Sequence, residues 1–190
     1  MKQHILPALR ITLFCLVFFC AVYTLFIWLI AQAAPAKGEG ETISVKGRVV
    51  GYTLIGQSFT DDKYFCSRPS AVAYNAAGSG GSNKGPTNPD YLKDVQSRID
   101  TLLAHNRGIR NEDIPAELVT ASGSGQDPDL SPAGAYIQVP RIAKLRNISE
   151  DKVKALVAGH IEKPLLNLFG TEKVNLLKLN IDLDRIFQGQ

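Results

Sequence analysis

Two glycine-rich stretches carry the residue types that bind phosphate, and each can be held against the geometry phosphate requires. A P-loop puts Lys and then Ser or Thr after the second glycine of G-x-x-x-x-G, so that the ammonium reaches the β/γ-phosphates and the hydroxyl meets magnesium. Gly80 and Gly85 have the glycine spacing, but Pro86 stands where Lys is required and no apolar strand feeds the turn. Gly123 and Gly125 open a dinucleotide-type G-x-G, yet Pro128 fills the third glycine position. Both motifs fail as phosphate sites by sequence.

Other reactive groups are equally isolated. Asp61-Asp62-Lys63 contains Asp-Lys without the Thr-Gly-Thr that completes an aspartyl-phosphate motif. His4, His105 and His160 show no ligand spacing with one another or with cysteine, so no metal site is expected. No Ser/His/acid set forms around the glycine turns, which argues against hydrolase chemistry. Cys66 beside Phe65 reads as a small buried apolar side chain rather than a reactive thiol.

What remains is a set of polar loops: Tyr64 to Ser70, Tyr74-Asn75, Ser79-Gly80-Gly81-Ser82-Asn83, and Ser122 to Pro128. Any one of them is a turn, with Gly, Ser, Asn and Asp in their usual roles. Four in one small domain suggest a recognition surface.

The elements that must position these loops follow from periodicity and caps. Ile43 to Ile55 reads as strand, with Gly47 and Gly51 as bends or bulges. Asn88-Pro89 starts a helix whose Leu92, Val95, Ile99, Leu102 and Leu103 share one face, ending at Gly108. Ile114 to Ala121 reads as a short strand. Ser131-Pro132 starts a helix through Arg146 that Pro140 interrupts. Ser149 caps a third helix, with Val153, Leu156, Val157 and His160 inward. Asn175 to Ile181 alternates as a strand would, and Leu183 to Phe187 adds a last amphipathic turn.

Ahead of this domain, Ile11 to Ala36 carry no charged side chain, and Lys2 and Arg10 precede them. As a helix the stretch reaches roughly 39 Å, against a bilayer core of about 30 Å. Its apolar core is longer than a signal peptide's, so Ala31-Gln32-Ala33 is not taken as a cleavage site. The expected organisation is a short cytoplasmic N-terminus (1–10), an anchor helix (11–31), a linker (32–42) and an extracytoplasmic domain (43–190). The fold class is α+β: one N-terminal transmembrane helix followed by a single mixed α/β soluble domain. Lys and Arg number 21 against 18 acidic residues, and no nucleic-acid-binding surface announces itself.

Read in order, the loops resemble those of the KdpC family, the C chain of the bacterial potassium-transporting ATPase. The resemblance runs through Ile55–Phe59, Tyr64-Phe65, Arg68–Ala71, Tyr74-Asn75, Ser79–Asn83, Thr120–Gly125, Asp127-Pro128 and Ser131-Pro132. Gln138, Arg141, Ala143-Lys144, Arg146 and the run from Val174 to Asn180 complete it. Gln126 departs from it, since the family usually has an apolar residue there, and so does Cys66.

The resemblance implies a non-catalytic subunit in the bacterial inner membrane. Its partners would be a channel-like A subunit, a P-type B subunit that hydrolyses ATP and a small F subunit, together with the lipid bilayer. The C chain would assist assembly and raise the B subunit's affinity for ATP, with Ser122, Gly123, Ser124, Gly125 and Gln126 as the candidate nucleotide loop and ATP, shared with the B subunit, as its ligand. No metal is implied. The candidate interface comprises Arg68, Tyr74, Asn75, Ser79, Gly80, Gly81, Ser82, Asn83, Arg141 and Arg146.

Two alternatives stand beside this reading. In one, the domain shapes potassium entry at the A subunit without binding nucleotide. In the other, the chain is an anchored periplasmic enzyme.

Overall fold

The structure is a computed structural model that describes residues 2–188. The chain forms two compact units, Met1–Glu41 and Thr42–Gln190.

In the first unit, α1 (Lys2–Val17), a π-helical segment (Phe18–Tyr23) and α2 (Thr24–Gln32) run on as one helix. From Gln3 to Gln32 it is 30 residues long and apolar enough to cross a bilayer, and none of its most apolar stretch is buried by protein. A helix apolar all round is stable only where lipid or protein covers it. It gives way to a 3-10 turn, Pro35–Gly38, in which Ala36 and Lys37 take left-handed backbone.

The second unit is mixed α and β. What reads in sequence as one strand from Ile43 to Ile55 is a hairpin, β1 (Thr42–Val45) and β2 (Arg48–Tyr52). Lys46 and Gly47, both at positive φ, make the two-residue turn that matches strand twist. A bulge lies between Ile43 and Ser44. A long loop leads to α3 (Pro89–His105), where the Asn88 side chain accepts from the amides of Asp90 and Tyr91 at 3.0 Å. This helix ends before Gly108, which lies in the turn that follows.

The strand expected at Ile114 to Ala121 is instead a 3-10 turn at Ala116–Leu118. Pro115 has no amide for a ladder, while its carbonyl accepts from Leu118 N–H at 3.0 Å. Next come β3 (Asp129–Leu130), α4 (Pro132–Tyr136) and α5 (Val139–Arg146). Ser131 caps α4 and Pro140 sits in the first turn of α5, so the proline divides the helix as expected. α6 (Glu150–Gly159) buries Val153 and Val157.

A three-stranded antiparallel sheet has the order β3-β5-β4, with β4 at Ile161–Glu162 and β5 at Lys173–Asn175. The strand expected at Asn175–Ile181 exists only in its first residue. From Leu176 to Gln188 the chain is α7, which also takes in Leu183–Phe187. Leu176, Leu179 and Leu183, all buried, repeat at helical spacing, and that longer period overrides the short alternation. Phe65, Leu130, Val139, Ile142, Val157, Val174, Leu179 and Leu183 fill the core between α5, α6, α7 and the sheet.

Candidate docking surface and its supporting clamps

Most of the polar loops meet in one knot. Its first strand of contacts is electrostatic: Arg68 pairs with Asp127 at 2.6 Å, both side chains about a quarter exposed. The Tyr74 hydroxyl donates to the Arg68 carbonyl. Burial pushes the Tyr74 phenol's pKa upward, which keeps it protonated and able to donate. Ser70 then ties the two glycine loops together. Its hydroxyl donates to the Gly125 carbonyl at 2.7 Å and accepts from the amides of Val72 and Tyr74.

Across the same gap, the Gly80 amide and the Ser79 hydroxyl both donate to the Ser124 carbonyl, at 2.8 and 3.0 Å. Gln126 donates from its side-chain amide to the Asn75 carbonyl at 2.6 Å. Gly125 is required by the closeness of this packing. It has φ +68, and a Cβ there would stand 2.5 Å from a Val72 methyl and 2.9 Å from the Gly80 oxygen. Gly56 has a different reason: a Cβ would stand 2.3 Å from the Asp127 oxygen, while its amide donates to Gln126.

The candidate nucleotide loop is therefore mostly occupied with itself. The Ser122 amide donates to the Pro69 carbonyl, that of Gly125 to the Ser122 hydroxyl, and that of Gln126 to the Ser124 hydroxyl. Among the described residues, only the amides of Gly123 and Ser124 in this loop lack a protein acceptor. A phosphate cradle needs several convergent amides.

The expected interface residues divide into three groups. Arg68, Tyr74, Asn75, Ser79, Gly80 and Gly81 belong to the knot. Ser82 and Asn83 lie exposed just beyond it. Arg141 and Arg146 are elsewhere and inside: each guanidinium side chain is 4% exposed, which corrects their reading as surface anchors.

These arginines hold residues 62–66, a turn closed by the Tyr64 amide on the Asp61 carbonyl and the irregular chain that follows, with no strand beside it. Arg141 donates to the carbonyls of Asp62 and Tyr64, to Asn106 Oδ1 at 2.8 Å and to Gln138 Oε1 at 2.7 Å. Arg146 donates to the Lys63 carbonyl at 2.7 Å, pairs with Asp184 at 2.8 Å and lies over the Tyr64 ring. Two amide side chains do what a neighbouring strand would. Asn180 pairs with both backbone polar atoms of Phe65, and Gln138 with both of Cys66. Burial raises the pKa of the Cys66 thiol, in keeping with a packed rather than reactive side chain.

Sequence reading did not assign these clamping roles to Gln138 and Asn180, nor the partnership of Asp127 with Arg68. It also missed a run of apolar side chains at Leu165–Phe169, four of them exposed. Among the described residues, no cluster of His, Cys, Asp or Glu has the makings of a metal site.

Comparison with known proteins gives the arrangement a lineage. The family model described as "KdpC: K+-transporting ATPase, c chain" matches residues 5–185. A potassium-transporting ATPase KdpC subunit of Flavobacterium psychrophilum is 55% identical over 184 residues, covering 97% of this chain and 99% of that protein. The Bacteroides fragilis KdpC subunit is 50% identical over 187 residues (97% and 98%), and that of Geobacter metallireducens 46% over 189 (97% and 98%). With a match across nearly its whole length, and with the ordered loops that form the knot, this chain belongs to the KdpC family, the c chain of the K+-transporting ATPase.

Proposed function

We propose that the chain is a non-catalytic subunit that assembles and stabilises a potassium-transporting ATPase, with its soluble domain on the outer face of the bacterial inner membrane. Its partners are the channel-like A subunit, the ATP-hydrolysing P-type B subunit and the small F subunit. One observation carries this reading. The loops that looked like a ligand site spend their hydrogen bonds on one another, which makes a stiff surface rather than an open cradle. A pre-organised surface loses little entropy on docking.

Lys2 and Arg10 ahead of the apolar helix favour a cytoplasmic N-terminus, and one crossing then carries the domain outward. Under that topology the subunit raises the ATP affinity of its partner through the assembled complex, because ATP and the hydrolysing domains lie on the other side. Direct contact of ATP with Ser122–Gln126 is the rival reading, and only the Gly123 and Ser124 amides support it.

Topology separates the two. Lys37→Cys, in a chain whose Cys66 is replaced by Ser, is treated with a membrane-impermeant thiol reagent on spheroplasts. Labelling before lysis is expected. Labelling only after lysis would put the domain beside the ATPase and give the nucleotide reading the advantage. Copurification of the A and B subunits with the full chain checks the assembly role.

A further inference from the structure

The β4–β5 hairpin ends in a tip that has no structural reason to be apolar. Leu165, Leu166, Leu168 and Phe169 are 70%, 75%, 78% and 66% exposed, four large apolar side chains within five residues. Single exposed leucines are ordinary, but a contiguous group marks a surface that something covers.

The tip is also preformed. The amides of Leu168 and Phe169 both donate to the Leu165 carbonyl, at 3.1 and 3.0 Å, and the Leu165 amide returns a bond to Phe169 at 3.1 Å. Leu166 and Asn167 sit at φ 55 and 58. Left-handed backbone is unfavourable for leucine, and such strain persists where surrounding structure enforces it, commonly at functional positions. The base is equally fixed: Ile161 and Glu162 pair with Val174 and Lys173, and Val174 is fully buried.

Charge around the base argues against an anionic bilayer as the occupant, and membership of a multisubunit ATPase family supplies the alternative. Glu162 lies 3.7 Å from Lys173 and 3.6 Å from Lys178, and Lys173 pairs with Asp129 at 2.7 Å. A loop that binds an anionic bilayer surface has a basic collar in excess. Lys163 and Glu172, which flank the tip in sequence, add one charge of each sign, so the base carries no basic excess, and the tip is preformed and apolar. We infer that Leu165–Phe169 is a plug that seats in an apolar cleft on another subunit of the same ATPase. The inference rests on the assembly role proposed above. Central, desolvated apolar anchors of this kind dominate interface energetics.

The test uses the full chain coexpressed with its transporter subunits. Leu166→Ser with Leu168→Ser removes apolar area from exposed positions, so the chain is expected to keep the protease resistance of the parent in membranes. Recovery of the other subunits with it in detergent is expected to fall at least tenfold. A photoreactive residue at Leu168 is expected to cross-link to one of those subunits.

If the parent chain itself recovers no partner, the assembly role fails and this inference with it. If the parent recovers partners and the double variant recovers as much, the plug alone is overturned. Adducts only with lipid, adducts only with a second copy of this chain, or no adduct at all would also overturn it.

Discussion

Asn180 holds Phe65 by both of that residue's backbone polar atoms. Its Oδ1 accepts from the Phe65 amide at 2.9 Å, and its Nδ2 donates to the Phe65 carbonyl at 3.0 Å. One side chain thus supplies what a second strand would otherwise provide, to a residue whose surface is wholly buried. Asn180→Ala leaves both groups without partners in the core, and we expect a loss of about 2–4 kcal/mol. Asn180→Asp keeps the acceptor but not the donor and is also expected to destabilise. Denaturant unfolding of the detergent-solubilised chain, followed by fluorescence, measures both. An unchanged midpoint for Asn180→Ala would refute the role.

The two glycines of the Ser-Gly-Ser-Gly turn are expected to behave oppositely. Gly125→Ala meets left-handed backbone and a Val72 methyl at once, and should cost about 3 kcal/mol or more. Gly123→Ala has nothing within 4 Å of the new methyl and should stay within about 1 kcal/mol of the parent. Thermal melts of the two variants decide it, and equal losses would mean that the knot is not packed as described.

Arg141→Ala strands several buried acceptors, so its primary effect is on folding, about 3–5 kcal/mol. Lys cannot replace the planar fork that reaches Asn106, Gln138 and two carbonyls together, so Arg141→Lys should rescue little. Arg68→Ala breaks a pair whose side chains are about a quarter exposed and should cost about 1 kcal/mol or less. Limited proteolysis of membranes ranks the three. A protease-resistant Arg141→Ala chain that merely fails to recover its partners would restore the surface role.

The half-buried Cys66 thiol sets a dependence on alkaline pH. Its pKa is raised in the folded chain, so the folded state holds the proton more tightly than the unfolded one. The stabilisation from this is complete below the unfolded thiol's pKa of about 8.5, and is lost as pH rises from there through the folded value. Replacing Cys66 by Ala should therefore flatten part of the decline in unfolding midpoint between neutral and alkaline pH. Peptide-resolved alkylation offers an independent check, with Cys66 expected to react slowly at pH 8 until the chain is unfolded. Fast reaction of the native chain would contradict burial as the cause.

Features set by local chemistry were legible in the sequence. The Asn88 cap, the Ser131 cap, the break at Pro140, the buried face of α6 and the apolar N-terminal helix each depend on neighbours a few residues away. Asn175 to Ile181 was misread because seven residues fit two periods, and only continuation through Leu183 favours the helix. Arg141 and Arg146 looked like surface charges, since nothing local shows that five carbonyl and amide acceptors wait for them in the core. The Leu165–Phe169 tip escaped notice for the converse reason. Leucines in a sequence read as core until the fold leaves them outside.

Asn180's grip on Phe65 spans 115 positions, the Tyr64–Asp184 bond 120 and the Asn175 bond to the Thr53 carbonyl 122. At translation rates of about 5–20 residues per second, residues 53–65 leave the ribosome roughly 6–24 s before the groups that secure them. For that interval Phe65 has its amide and carbonyl in water and its ring uncovered. A chain cut short before residue 175 never closes the clamp, so it stays open to proteases instead of competing with intact copies for a place in the transporter.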